Sequence, residues 1–254
     1  MLRKLMIVII ALVSVSWRAA SAAEWTYQPW DELLKRFVQA GRVDYQGLRA
    51  NRAALNQWLQ TLSAANPDQL GSERRQQLAF WINAYNACVF QGVLEHAPLA
   101  SVRDVKGFFD KITYRVAGEM LTLNQMEAKG RAFEDWRIHV AVVCASTSCP
   151  PLRSEAYVPE RLDEQLADQA RQFLRDTHHG MRLEGSTLRV SKIFHWYAGD
   201  FLKGDNSFLH KLTPAKLLST LRPYLEPATA EACMRHAQQL QFLDYDWSLN
   251  QQAP

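Results

Sequence analysis

Apolar side chains recur at helical spacing over most of the chain. The spacing predicts helices over 31–40, 49–64, 72–93, 124–131, 159–176, 207–225 (in two pieces around Pro214) and 229–240. Within the third of these, residues 79–91 read AFWINAYNACVFQ and are apolar on nearly all sides. A helix of that composition has no solvent-facing side, so we expect it to be buried.

Three segments follow the pattern of strands instead. Residues 112–123 and 181–191 predict hairpins that turn at Ala117-Gly118 and about Glu184-Gly185. The β-branched run RIHVAVVC over 137–144 predicts a central buried strand. Since these strands do not alternate regularly with helices, we expect an α+β fold, with helices packed around a small central, mostly antiparallel sheet containing the two hairpins.

The first 22 residues have the three parts of a secretory signal peptide. Arg3 and Lys4 precede an apolar run from Leu5 to Val15, and Ala20-Ser21-Ala22 has the small-x-small pattern of a cleavage site. The apolar run is shorter than the roughly 20 residues that span a bilayer. We therefore expect export to a periplasm or secretion, and a single soluble domain over 23–254 without a membrane span.

The net charge of the chain argues against a nucleic-acid partner. The chain has 29 Lys and Arg against 26 Asp and Glu, and three of the cations (Arg3, Lys4 and Arg18) lie in the predicted signal peptide, which contains no acid. The remaining chain is neutral and lacks the basic surface that nucleic-acid binding requires. We expect no nucleic-acid partner and no cofactor; a small molecule or a peptide of unknown identity is the expected ligand.

The four cysteines would enter an oxidising compartment, where disulfides persist. Cys144 and Cys149 are close enough in sequence for a local bridge. Alternatively, one of them is a thiolate nucleophile and His139 is its base. Strand alternation would place His139 and Cys144 on opposite faces, whereas Cys149 follows a turn and could fold back. The spacing H-x4-C-x4-C matches no standard zinc site, so no metal is expected.

Other polar residues stand in apolar surroundings. Asn83 and Asn86 lie three residues apart, on one face of the predicted buried helix. They either hold neighbouring backbone or line a ligand pocket. Glu127 is a candidate buried acid or helix-start residue. His195, Asp200 and Asp246 lie in two aromatic segments, where they either support packing or orient a histidine.

Four segments together resemble the family known as domain of unknown function 547: AFWINAYNA, RIHVAVVCASTSCPPL, SKIFHWYAGDF and YDWSLN, between Ala79 and Asn250. The resemblance implies an exported bacterial member but no particular reaction. Some relatives differ at Cys88 and Cys149, which favours Cys144 and His139 as site residues. A looser likeness to papain-like and transglutaminase-like enzymes would use Cys88, His139 and Asp200 or Asp246, although Cys88 is not at a helix N-terminus.

Two hypotheses follow. The first is an exported thiol-dependent hydrolase or acyl transferase, with a cysteine nucleophile, His139 as base, and Asn83, Asn86 or Asp246 orienting groups. The second is a non-catalytic periplasmic binding or scaffold domain held by a Cys144–Cys149 disulfide. A reversible redox pair ranks third, because the cysteine spacing differs from the common C-x-x-C.

Overall fold

The computed structural model describes residues 25–66, 70–202 and 212–253; the predicted signal peptide lies outside these ranges. The helices in them are α1 Gln28–Phe37, α2 Tyr45–Ala50, α3 Arg52–Ala64, α4 Arg74–His96, α5 Leu123–Arg131, α6 Ile138–Ala141, α7 Leu162–Arg175, α8 Ile193–Trp196, α9 Ala198–Phe201, α10 Pro214–Leu221 and α11 Pro227–His236. The strands are β1 Val38–Gln39, β2 Arg42–Val43, β3 Thr113–Val116, β4 Glu119–Thr122, β5 Met181–Glu184, β6 Thr187–Val190 and β7 Gln239–Phe242. None of these helices is long and apolar enough to cross a membrane.

Helix α4 lies at the centre of the larger hydrophobic core. Every residue from 78 to 90 is buried, as the all-round apolar sequence predicts. Its N-terminus begins in a capping box formed by Glu73 and Gln76, which satisfies backbone N–H groups that a helix start leaves free. Helices α3 and α5 pack against it, and α1 contributes Trp30, which contacts Phe90 of α4.

A second, smaller core forms around one face of α7, the strands β5 and β6, and the short helices α8 to α10. Three fully buried aromatic rings lie at its centre: Phe173, Phe194 and Phe201. The ring of Phe194 contacts each of the other two. The short segment from α8 to α9 is thereby anchored beside the larger core. This arrangement places Tyr197 and the candidate residue Asp200 beside α5 and α6.

Both predicted hairpins are present, and the α+β class is confirmed. Strands β3 and β4 pair antiparallel from Thr113↔Thr122 to Val116↔Glu119, and both turn residues, Ala117 and Gly118, have positive φ, as a tight hairpin turn requires. Strands β5 and β6 also pair antiparallel. The described strands form three small sheets rather than one, and β7 joins β6 in parallel.

The predicted central strand over 137–144 is wrong. This segment instead forms the single-turn helix α6, followed by extended backbone from Val142. All four side chains of α6 are buried, so a run rich in β-branched residues reflects burial here and not strand pairing. His139 and Cys144 therefore do not lie on opposite faces of a strand.

Several helix boundaries differ from the predicted ones. The segment 49–64 is covered by α2 and α3, which meet at Asn51. The end of the predicted helix over 229–240 is β7, since α11 ends at His236. Of the segment 207–225, residues 207–211 lie outside the described ranges, and α10 begins at Pro214.

We predict that Asn83→Ala destabilises the protein by about 2–6 kcal/mol. The Asn83 amide donates to the Tyr157 carbonyl and accepts from the Tyr157 N–H, at 2.7 and 3.1 Å. Both backbone groups would lose their partner in a buried place, at about 1–3 kcal/mol each. Urea unfolding measures the change. The matched control, Asn56→Ala on the exposed side of α3, should differ from wild type by less than about 0.5 kcal/mol; equal effects of the two substitutions would contradict the prediction.

Candidate functional site

A cavity of about 270 Å³ lies between α4, α5, α6, α8 and the C-terminal segment. Its walls are mostly aromatic and apolar, and they include an acid, a histidine, an asparagine and two cysteines: Tyr85, Phe109, Asn124, Glu127, His139, Val142, Cys144, Cys149, Ile193, Trp196, Tyr197, Tyr245 and Trp247. A larger cavity of about 540 Å³ beside α1 contains none of the predicted site residues, and one of about 610 Å³ beside α5 and α9 contains only Asp200. The aromatic cavity, which we call the aromatic pocket, is thus the candidate site.

His139 is held from one side by a carboxylate. Its Nε2 lies 2.7 Å from Oδ2 of Asp200, and Arg131 donates two further hydrogen bonds to the same carboxylate, at 2.7 and 3.0 Å. The hydrogen bond with His139, supported by Arg131, lowers the pKa of Asp200 well below its ordinary value. Asp200 is therefore ionised and accepts the Nε2 proton, which leaves Nδ1 as the atom available for chemistry.

The imidazole is also held face-on. The ring of His139 stacks on that of Tyr197, with centroids 3.9 Å apart, and His139 is 2% exposed. The Tyr197 hydroxyl donates to Oε2 of Glu127 at 3.2 Å. Tyr197 therefore positions both titratable side chains of the pocket, the histidine through its ring and the acid through its hydroxyl.

Glu127 and His139 face each other without a direct hydrogen bond. Oε1 of Glu127 lies 3.7 Å from Nδ1 of His139, beyond hydrogen-bond range. Neither atom has a hydrogen-bond partner among the described residues, although both are buried. Burial raises the pKa of Glu127, against the opposing effects of His139 and the Tyr197 hydroxyl. Two unpaired buried groups in one cavity are the polar partners that a ligand would need.

Cys144 and Cys149 form a disulfide on the pocket wall, with Cα atoms 6.3 Å apart. Cys144 is half-buried and Cys149 is buried. The Cys144 N–H donates to Sγ of Cys149 at 2.9 Å, and the Tyr245 hydroxyl lies 3.3 Å from Sγ of Cys144 and 3.5 Å from Sγ of Cys149. In this state neither sulfur is a thiolate, so the predicted cysteine nucleophile is not available.

The C-terminal segment completes the pocket by pairing with the loop that carries the disulfide. The Thr147 N–H donates to the Ser248 carbonyl at 2.8 Å, and Ser146 bridges to Leu249. These bonds place Tyr245 and Trp247 beside Trp196, with ring centroids 4.7–5.8 Å apart. Trp196 is 45% exposed, so the pocket wall includes an aromatic surface that solvent and ligands can reach.

The family comparison covers the first two of the four sequence motifs. The family described as "Protein of unknown function, DUF547" matches residues 69–174. Residues 69–174 are therefore similar to the DUF547 family. The matched range includes Glu127, His139 and the disulfide, whereas Tyr197 and Tyr245 lie beyond it.

Searches of curated proteins and of solved structures found no match. The likeness to papain-like and transglutaminase-like enzymes therefore receives no support from them. Cys88, the nucleophile that this likeness would use, is buried inside α4, and burial raises its pKa. Such a thiol is unlike a reactive one, which sits where a positive charge stabilises the thiolate.

Within the matched range, Asn83 and Asn86 both form hydrogen bonds with backbone groups. Asn86 donates to the Ala141 carbonyl at 3.0 Å and accepts from the Val143 N–H at 2.9 Å, and neither asparagine lines the aromatic pocket. His195 packs on the ring of Phe242 instead. The Asp246 carboxylate accepts from the Ser248 N–H within its own exposed turn.

The structure brings together five of the predicted site residues: Glu127, His139, Cys144, Cys149 and Asp200. Residues that the sequence argument missed are Arg131, Tyr197 and Tyr245. The two tyrosines lie in the two aromatic segments that already contained candidate residues, so the sequence offered a signal by which they could have been found. No sequence signal pointed to Arg131, because its role depends on the contact between α5 and α9.

We predict that Asp200→Asn lowers the free energy of unfolding by about 1–2 kcal/mol at pH 7. The substitution removes the charge from a hydrogen-bond network that solvent partly screens, so the expected loss is modest. Because folding depresses the pKa of Asp200, its stabilisation is present above the unfolded-state value of about 4 and is lost as the pH falls below it. Urea unfolding at a series of pH values should therefore show the wild type and the variant converging in acid.

The control is Asp110→Asn, at an exposed aspartate, which should change stability little at any pH. A difference between wild type and Asp200→Asn that is constant from pH 7 to pH 3 would contradict the ionised His139–Asp200 pair.

Proposed function

We propose that the chain is an exported protein whose aromatic pocket binds a small, flat, mainly apolar molecule with one hydroxyl or amino group, and that Glu127 and His139 exchange a proton with that group. The observation that carries the proposal is the facing pair of unpaired buried atoms, Oε1 of Glu127 and Nδ1 of His139. A ligand hydroxyl or amine between them would satisfy both.

The size and lining of the pocket support this ligand class. A volume of about 270 Å³ is just below the range for sites that bind drug-sized molecules, roughly 300–1,000 Å³, so the ligand must be small. Aromatic side chains form several of its walls, including Phe109, Trp196 and Trp247, and they favour flat apolar partners that pack by stacking or edge contact. A small ring with one polar substituent combines both requirements.

The electrostatics support proton transfer rather than ion binding. The ionised Asp200 orients the imidazole through Nε2, so that Nδ1 can accept a proton from a ligand when the ring is neutral. Burial favours the uncharged form of Glu127, which makes this carboxyl a proton donor at a higher pH than an ordinary glutamate. One group that takes a proton and one that gives it, on the same cavity, are the parts of general acid–base catalysis.

The disulfide favours this interpretation over the thiol-dependent hydrolase or acyl transferase. That mechanism needs a thiolate, whereas Cys144 and Cys149 are paired and Cys88 and Cys233 are buried. Export is proposed on two grounds: the pattern of a signal peptide over residues 1–22, and a disulfide, which is typical of proteins from oxidising compartments.

We predict that 4-fluorophenol binds the pocket about tenfold more tightly than 4-fluorotoluene, because only the phenol hydroxyl can hydrogen-bond to Glu127 and His139. Glu127→Leu should remove most of this preference and lower stability by about 1–3 kcal/mol, because it also leaves the Tyr197 hydroxyl without its acceptor. Titrations followed by ¹⁹F NMR measure both affinities. Glu160→Leu is the control, because Glu160 is exposed and lies outside the pocket, and this variant should keep the preference for the phenol. If Glu127→Leu also keeps that preference, the proposed ligand contact is refuted.

We also predict that the whole chain, expressed in a Gram-negative host, is recovered from the periplasm or medium with a mature N-terminus near Ala23. Intact-mass spectrometry of the purified protein identifies the N-terminus. Deleting residues 2–22 should leave the protein in the cytoplasm. Recovery of an uncleaved cytoplasmic protein from the full chain would disprove export.

A further inference from the structure

The disulfide occupies an unusual place for a bond that only staples the chain. It lies on the wall of the aromatic pocket, and Cys144 is the more exposed of its two cysteines. A structural disulfide is normally shielded, whereas an accessible one undergoes exchange with thiols. Both cysteines therefore line the cavity in which a small molecule would bind.

Hydrogen-bond donors surround both sulfurs. Sγ of Cys149 accepts from the Cys144 N–H, and the Tyr245 hydroxyl is in contact with both sulfur atoms. Ser146 donates its hydroxyl proton to the Tyr245 oxygen at 3.2 Å, which leaves the Tyr245 proton free to point at a sulfur. Burial raises the pKa of Tyr245 to about 12, so its hydroxyl keeps that proton at neutral pH.

These donors have a chemical consequence once the bond breaks. A neutral disulfide sulfur accepts hydrogen bonds weakly, but a thiolate accepts them strongly because charge-assisted bonds are roughly twice as strong. The N–H and O–H groups around Cys149 would therefore stabilise this sulfur as a leaving thiolate more than they stabilise it in the disulfide. This arrangement favours exchange and is not needed for a static cross-link.

We propose that the Cys144–Cys149 pair is an exchangeable disulfide that oxidises a small dithiol bound in the aromatic pocket. The inference goes beyond the acid–base function, because the exchange needs the disulfide and its donors and does not require proton transfer by Glu127 or His139.

One substrate thiolate attacks Sγ of Cys144, which forms a mixed disulfide and breaks the bond to Cys149, whose sulfur takes the electron pair. The second substrate thiolate then attacks the substrate sulfur of the mixed disulfide, closing the substrate into a cyclic disulfide and releasing Cys144 as a thiolate. The dithiol loses two electrons and two protons, and the cysteine pair gains them. The reverse exchange with a small disulfide restores the starting state.

The first experiment is reduction of the native protein with dithiothreitol, quenched by alkylation and mapped by mass spectrometry. We expect Cys144 and Cys149 to be alkylated without denaturant, while Cys88 and Cys233, which are buried in the two cores, stay protected. A disulfide that is reduced only when the protein unfolds would overturn the proposal.

The second experiment uses matched tyrosine variants. Tyr245→Phe removes the donor shared by the two sulfurs and should slow native-state reduction about tenfold, the effect of one hydrogen bond to a charged group. Tyr114→Phe is the control, because its buried hydroxyl has no hydrogen-bond partner among the described residues, and it should reduce at the wild-type rate. Equal rates for the two variants would remove Tyr245 from the mechanism and overturn the assigned leaving group.

The third experiment identifies the attacked sulfur. In Cys149→Ala the lone Cys144 thiol should react with 4,4′-dithiodipyridine, release one equivalent of 4-thiopyridone and retain a stable mixed disulfide, because the resolving thiol is missing. In Cys144→Ala the buried Cys149 should react at least about tenfold more slowly. Faster reaction of Cys149 would contradict the proposed order, and if either variant fails to fold, the tyrosine pair still tests the proposal.

Discussion

The hydrogen bonds between Asn86 and the backbone of residues 141 and 143 hold the segment on which the pocket depends. Asn86 lies on α4, which is buried on all sides, and its amide satisfies a carbonyl at the end of α6 and an N–H just beyond it. His139 precedes this clamp and Cys144 follows it. Because a buried amide that lost these partners would cost about 1–3 kcal/mol, the histidine and the disulfide are fixed relative to α4 and therefore to each other.

A second set of contacts joins the two cores at the same place. Arg131 on α5, Asp200 on α9 and His139 on α6 form one chain of charge-assisted hydrogen bonds. Asp200 also lines a separate cavity of about 610 Å³, so the ion pair lies between that cavity and the aromatic pocket. The carboxylate of Asp200 therefore lies outside the aromatic pocket and acts on the pocket only through its hydrogen bond with the imidazole of His139.

Within the pocket, two kinds of chemistry share one aromatic enclosure. Glu127 and His139 contribute titratable groups on one part of the wall, and the disulfide with Tyr245 contributes sulfur and its hydrogen-bond donors on another. Low polarity strengthens each hydrogen bond made there and penalises each group left unpaired. This explains why an incompletely satisfied pair such as Oε1 of Glu127 and Nδ1 of His139 suggests a ligand rather than a packing defect.

The sequence by itself determined the α+β class, the buried helix α4, both hairpins and the importance of the segments around His139 and Asp200, because apolar periodicity and turn residues are local properties. It did not determine the conformation of residues 137–144, since a buried β-branched run suits a strand or a helical turn equally. Only the tertiary structure decided that α6 turns His139 toward Asp200 and Glu127, and that Tyr245 reaches the disulfide. Those contacts join residues 12 to 101 positions apart, and such pairings depend on how the elements pack.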